Sequence, residues 1–282
     1  MNRKLPIGLN RALAVEAKNS SSRQSLGSRR ARTWGIIPAA GVGSRIQPLA
    51  FSKELLPVGT RIDGQSERPR AVCEYLIDRM LYAGATHLCF VISANKADIL
   101  SYFGGELGGA SICYALQAQP AGLCDALFTP LPFLAPDAEV LIGLPDTIWF
   151  PEDGFLALPE QRFSMLLFPV EQPEFFDAVV FGTDWRVEEI QVKQENARSK
   201  WIWGALRLPA SILSILHQLW LEQERRDEYF GTLVNAYIAR GGQVLAVPSG
   251  HQYVDVGTLN GYRHAVQVLR RAREPAWKLK RA

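Results

Sequence analysis

Two side chains of fixed positive charge stand beside a run of very small residues. The run is Ala39-Ala40-Gly41-Val42-Gly43-Ser44, followed at once by Arg45 and, beyond Pro48, by Lys53. Residues without bulk let consecutive backbone N–H groups turn toward one anion and let its oxygens come near. Arg45 adds a planar fork of donors and Lys53 a compact point charge, two ways of neutralising a phosphate chain. Gly41-Val42-Gly43 alone reads as an ordinary turn; with Arg45, Pro48 and Lys53 it reads as a triphosphate cradle. Spacing excludes two other phosphate loops. A dinucleotide fingerprint would put glycine where Ile46 stands, and a P-loop needs Gly-Lys-Ser/Thr opening a helix. The four histidines, His87, His217, His251 and His264, are dispersed and support neither a metal triad nor a Ser-His-Asp relay.

The cradle follows an apolar run at 34–37, which reads as a buried strand. Pro48 and Pro57 stiffen the segment carrying Lys53. After a polar, turn-like stretch at 61–68, spacing predicts a helix over 71–83, a strand over 87–93, a short helix over 97–103 and strands over 111–116 and 138–144. Residues 117–123 form a turn with Pro and Gly, leading to a short helix that starts near Cys124 and is broken by Pro130. This alternation predicts an α/β fold with a doubly wound, mostly parallel sheet and ligands at the carboxyl ends of its strands. Asp146 stands just past one such end, where loops carry function. Four further strands, at 163–168, 178–181, 187–192 and 202–208, are mostly antiparallel by their short connections. Helices at 210–224 and 228–239, a strand at 244–247 and a helix at 259–273 complete the pattern. The basic end of that last helix reads as a solvated face.

The matches at Gly41, Gly43, Ser44, Arg45, Ile46, Pro48, Lys53, Leu55, Leu56 and Pro57 resemble the signature of the sugar-1-phosphate nucleotidylyltransferases, the glucose-1-phosphate thymidylyl- and uridylyltransferase group. The resemblance implies a Rossmann-like nucleotidyltransferase fold with a small antiparallel sugar-binding portion. It implies nucleotide contacts from Ala39, Ala40, Gly41, Val42, Gly43 and Ser44. A second set, Gln117, Pro120, Gly122 and Leu123, matches the Gln-x-x-Pro-x-Gly-Leu segment that embraces the base. Gln117 would pair with the base edge, and an amide has the donor and the acceptor that uracil or thymine requires. Asp146, in Gly143-Leu144-Pro145-Asp146, and Asp255, in Tyr253-Val254-Asp255-Val256-Gly257-Thr258, resemble the two metal-binding aspartates of the family. One or two carboxylates with substrate phosphates is the set that Mg2+ prefers. Arg45, Lys53 and Asp146 would be catalytic, and Lys193 and Gly204 would bind the sugar phosphate.

The chain departs from the family at three points. The interval from Pro48 to Lys53 is shorter, Val192 replaces a glutamate that contacts sugar hydroxyls, and Ala178 replaces a pocket glycine. The implied activity is transfer of a nucleotidyl group from UTP or dTTP to a sugar 1-phosphate with release of pyrophosphate, assisted by Mg2+. The departures keep two alternatives open: a non-sugar phosphate acceptor, and a regulatory homologue that senses a nucleotide without turning it over.

The 282 residues, 48% of them hydrophobic, suffice for one large core. The net charge of +3 is uneven, since residues 1–32 hold eight Lys or Arg against Glu16, a net of +7 that leaves −4 for the remainder. With its serines this basic extension reads as disordered; its composition fits a bacterial extension or an organelle transit peptide. Residues 33–274 then form the nucleotidyltransferase domain and 275–282 a basic tail. An acidic body without aromatic interleaving argues against nucleic acid as a partner. No apolar stretch approaches the roughly 18–20 residues that span a bilayer. Cys73, Cys89, Cys113 and Cys124 lack metal or redox spacing and read as reduced core thiols of a cytoplasmic protein, for which homo-oligomers are compatible.

Overall fold

The apolar run ahead of the cradle is strand β1 (Thr33–Pro38), and the sheet is built outward from it. In the computed structural model, which describes residues 32–119, 121–224 and 229–273, β1 is followed by the hairpin β2 (Pro57–Asp63) and β3 (Ser66–Ala71). Helix α1 (Val72–Tyr82), β4 (His87–Ile92), α2 (Ala97–Phe103), β5 (Glu106–Leu107), β6 (Ala110–Leu116), α3 (Gly122–Phe128) and β7 (Glu139–Gly143) come next. Strands β8 (Thr147–Phe150), β9 (Ser164–Pro169), β10 (Asp177–Phe181), β11 (Val187–Val192) and β12 (Trp201–Pro209) follow. The chain closes with α4 (Ala210–Glu222), α5 (Phe230–Ala239), β13 (Leu245–Val247), β14 (Gln252–Asp255) and α6 (Leu259–Arg273).

The main sheet runs β11-β10-β12-β7-β1-β4-β6-β5, with β9 and β13 attached through β12. Its centre, β7-β1-β4-β6, is parallel, so the loops after Pro38, Ile92, Leu116 and Gly143 leave from one edge. Alternation along β1 sorts its side chains to two faces. Trp34 and Ile36 pack with α3, α4 and α5, while Ile37 packs with α1 and α2. A Cβ on Gly35 would come within 2.6 Å of Met80 Sδ, so this glycine lets α1 lie close against the sheet. The doubly wound reading therefore holds, and the antiparallel flank β12-β10-β11 is the second portion that the sequence implied.

Three elements differ from the sequence reading. Residues 61–68 are a β-hairpin turning at Gly64, not a loop. Its strands are polar because they are held by charge, with Arg61 and Arg68 bonding Asp63 and Arg68 also reaching the buried Glu74. Strands β8 and β14, which the apolar pattern did not separate from their neighbours, pair antiparallel with Asp255 opposite Thr147. They belong to a third apolar cluster that includes Val58, Tyr75, Ile148, Val254 and Ala265 and joins the hairpin, α1 and α6. The expected extension at 1–32, except Arg32, the tail at 275–282 and Glu228 lie outside the described residues. Among the described residues no helix is long and apolar enough to cross a membrane. None of the four cysteines takes part in a disulfide.

Candidate active site

The small-residue loop keeps its donors unspent. Among the described residues, the backbone N–H groups from Ala40 to Arg45 have no hydrogen-bond partner; the nearest used on either side are those of Ala39, to Val91 O at 2.8 Å, and Ile46, to Gly43 O at 3.1 Å. Such a run of free, partly exposed donors can be satisfied by an anion. Gly43 has φ +70°, and a Cβ there would stand 2.6 Å from Lys53 Cδ. The glycine thus serves the lysine, whose stem runs beneath the loop.

Lys53 is fixed from both sides. Ser52 donates its N–H and hydroxyl to Asp98 at 2.6 and 2.7 Å. Lys96 donates to both oxygens of Glu54 at 2.8 and 2.7 Å, a buried ion pair. Both partners, Lys96 and Asp98, lie at the start of α2, so the one-turn helix Lys53–Leu55 is clamped to it. The shortened loop therefore does not carry Lys53 away: its ammonium donates to Asp146 Oδ2 at 2.6 Å. Burial draws the Lys53 ammonium down, but Asp146, with Glu54 and Asp255, outweighs it and holds the group above its ordinary value.

The β8–β14 pairing brings the two aspartates together. Val256 N–H donates to Asp146 O at 2.8 Å, and Arg45 Nη1 lies 3.2 Å from Asp255 Oδ2. Asp255 Oδ1 accepts the N–H of Gly257 at 2.8 Å. A Cβ built on Gly257 would meet Asp146 Oδ2 and Asp255 Oδ1, each at 2.9 Å, so both carboxylates face one point. Burial and the like charge of Asp146 push the Asp255 carboxyl up, against Gly257 N–H, Arg45 and Lys53. Two carboxylates in this state favour a cation between them.

Gln117 is buried at the end of β6, and its Nε2 donates to Asp125 Oδ2 at 2.6 Å and to Gly122 O at 3.4 Å. A carboxylate only accepts, so the amide nitrogen must face Asp125. That leaves Oε1, which has no partner among the described residues. Gly122, at φ +89°, opens α3 two residues before the predicted start.

These groups share one cavity of about 580 Å³, lined by Ala40, Gly41, Arg45, Lys53, Gln117, Gly122, Leu123, Asp146 and Asp255. Lys193, Asp177, Trp203, Phe176 and Tyr253, carried by the antiparallel flank and β14, line it too. Lys193 follows β11 in a left-handed conformation at φ +47°, its N–H bonded to Phe176 O at 2.9 Å and its ammonium 4.3 Å from the Tyr229 ring centre. Five sequence-named residues do not line the cavity. Ala39 is buried behind the loop, Gly43 lies under the Lys53 stem, and Val42 and Ser44 face solvent. Gly204 sits behind the wall, where a Cβ would strike Phe168 and Tyr253 at 2.6 Å; its neighbour Trp203 lines the cavity instead. Pro120 lies outside the described residues. The sequence reading missed Asp177, Phe176 and Trp203. Their only signal was their place beside Ala178 and Gly204.

A model of the family described as nucleotidyl transferase matches residues 34–271. A glucose-1-phosphate thymidylyltransferase of Mycobacterium tuberculosis (strain H37Rv) is 26% identical over 247 residues, 84% of this chain and 82% of that protein. One of Neisseria meningitidis is 28% identical over 176 residues, 59% of this chain and 58% of its own length. A UTP-bound UGPase structure from Acinetobacter baumannii superposes with a TM-score of 0.70 at 18% identity, covering 89% of this chain and 96% of that one.

Proposed function

The chain belongs to the nucleotidyl transferase family of enzymes, and from that membership we propose that it transfers a nucleotidyl group from UTP or dTTP to a sugar 1-phosphate, releasing pyrophosphate. The observation that carries this reading is the meeting of Arg45, Lys53, Asp146 and Asp255 in one cavity with Ala40 and Gly41, whose backbone N–H groups are free among the described residues. The relatives named as glucose-1-phosphate thymidylyltransferases support the same chemistry.

The residues present fit a divalent cation. Among the described residues no group of three or more metal-ligating side chains occurs, but two carboxylates facing one point are the protein share that Mg2+ takes when substrate phosphates complete its shell. Asp146 and Asp255 would hold it, and bound there it supplies positive charge to the triphosphate.

The remaining steps belong to the chain itself. The loop N–H groups and Arg45 receive the triphosphate, and Lys53 exchanges Asp146 for a phosphate oxygen. The free Oε1 of Gln117 suits the N3–H of uracil or thymine, whereas cytosine presents an acceptor there, which supports UTP or dTTP over CTP. The acceptor's phosphate oxygen attacks the α-phosphorus in line; the bond to the β-phosphate oxygen breaks and pyrophosphate carries away the negative charge. A phosphate monoester has its second pKa near about 6, so the nucleophile is ionised at neutral pH and needs no general base. Catalysis is then positioning and charge neutralisation. Lys193, which lines the same cavity, suits the acceptor's phosphate. Both substrates are charged and water-soluble, which supports a cytoplasmic setting.

A matrix of triphosphates against sugar 1-phosphates, read by pyrophosphate release, tests the reading. UTP or dTTP with a hexose 1-phosphate is expected to give pyrophosphate. Silence across the matrix, with Mg2+ present and the fold verified, contradicts it.

A further inference from the structure

The acceptor end of the cavity contains a carboxylate that the transfer chemistry leaves unused. Asp177 is the first residue of β10 and pairs in register with Val192, the residue before Lys193. It lines the same cavity as Lys193. Its Oδ2 accepts the indole N–H of Trp203 at 3.3 Å. Among the described residues no cation lies within ion-pair distance of it. Gly231 makes room for the group: a Cβ there would stand 3.0 Å from Asp177 Oδ2 and 2.8 Å from Val192 Cγ2. Burial pushes the carboxyl up, and the Trp203 N–H and the charge of Lys193 only partly oppose it.

A desolvated carboxylate is an acceptor without donors of its own, and it is costly unless donors reach it. The indole N–H of Trp203 supplies part of that need, and the cavity that Asp177 lines is where further donors can reach it. The aromatic side chains of Trp203, Phe176 and Tyr253 line the same cavity, with Phe176 edge-on to Tyr253 at 5.9 Å between ring centres. Apolar faces beside a fixed acceptor suit a ring with C–H faces and hydroxyl edges. An anionic group is repelled there, so the acceptor's phosphate is directed to Lys193 and its uncharged end to Asp177.

We propose that Asp177 is the specificity-determining residue of the acceptor site, accepting hydrogen bonds from hydroxyls of the sugar ring and thereby selecting a polyhydroxylated phosphate ester. This rests on the sugar 1-phosphate reading above. The carboxylate is supplied from the strand position directly across from Val192, which is itself turned against Gly231 and does not line the cavity.

The test is steady-state kinetics of the full chain, its Asp177→Asn variant and its Asp177→Ala variant. Substrates are UTP or dTTP with hexose 1-phosphate, the single-deoxy analogues of that hexose phosphate, and its amino-deoxy analogue. A hydrogen bond to a charged group predicts a loss in kcat/KM for the sugar phosphate of about tenfold to a hundredfold in either variant, with triphosphate KM within about twofold of wild type. Asparagine keeps the shape of the site, so an unchanged melting temperature and triphosphate KM separate this loss from misfolding. At least one deoxy analogue is expected to be discriminated against by the wild type and no longer by the variants. Equal sugar-phosphate kinetics in all three proteins, or deoxy discrimination that survives in both variants, overturns the assignment. A wild-type preference for the amino analogue that Asp177→Asn abolishes also overturns it, in favour of an ammonium site. If the wild type releases pyrophosphate while the variants match it, only this inference fails; if the wild type releases none with any sugar phosphate, the transferase reading fails and takes the inference with it.

Discussion

At the scale of single residues, the site is held in a self-neutralised state. Lys53 covers Asp146 and Arg45 covers Asp255, so each of these four groups already has an opposite charge beside it. Under the proposed function, triphosphate and cation would displace two internal ion pairs, and each is expected to ease the entry of the other. Asp146→Asn separates the two roles. Turnover is expected to fall by about a hundredfold or more, the scale of losing one preorganised charge. Binding of triphosphate in the presence of a chelator should instead tighten by about threefold to tenfold, because Lys53 is released. Isothermal titration of wild type and variant without divalent cation checks this; weaker metal-free binding by the variant contradicts the exchange of Lys53 between Asp146 and phosphate.

At the scale of elements, the position of Lys53 is set by α2 rather than by the loop that carries it. The Glu54–Lys96 pair is the buried half of this clamp. Removing one partner of a buried pair strands the other, so Lys96→Ala is expected to cost about 3–5 kcal/mol in urea unfolding, whereas Glu54→Met with Lys96→Met should recover most of it. An equal loss in the single and double variants would contradict a buried, mutually dependent pair. The Ser52–Asp98 half is pH-dependent. Burial works to raise Asp98, but the N–H and hydroxyl of Ser52 hold it below its usual value. A depressed carboxylate stabilises the fold above its unfolded pKa of about 3.9, and that stability is lost as pH falls through the lower folded value. Asp98→Ala should thus lower Tm by about 5 °C at pH 7, a gap that closes as the pH is taken below about 4. A gap independent of pH would assign the effect to packing. Neither contact was legible in the sequence, because a lysine and an aspartate flanking the start of a short helix look like solvated turn residues.

At the scale of the molecule, one sheet edge gathers the groups assigned to the donor half of the proposed transfer. Loops after β1, β6 and β7 bring the cradle, Gln117 and Asp146 to it, and β14 returns Asp255 by pairing with β8. The donor half was legible because Gly41 to Lys53 is one continuous stretch whose residue types have little other use together. The parallel centre was legible from apolar runs alternating with helical spacing. The acceptor half was not. It is assembled from β10, β11 and β12, where Asp177 reads as the polar end of a strand and Trp203 as core, and only the antiparallel register turns both toward Lys193. Gly204 misled for the same reason: its lack of a side chain admits Phe168 and Tyr253 rather than a ligand. Under the proposed function this cavity takes the two phosphate-bearing substrates together. The most direct measurement is the fate of the α-phosphate: UTP or dTTP labelled at that phosphorus, incubated with hexose 1-phosphate and Mg2+, should place the label in a nucleotide sugar with one pyrophosphate released per label transferred. Label that stays in triphosphate, or that appears only as nucleoside monophosphate, would contradict nucleotidyl transfer as the function of this site.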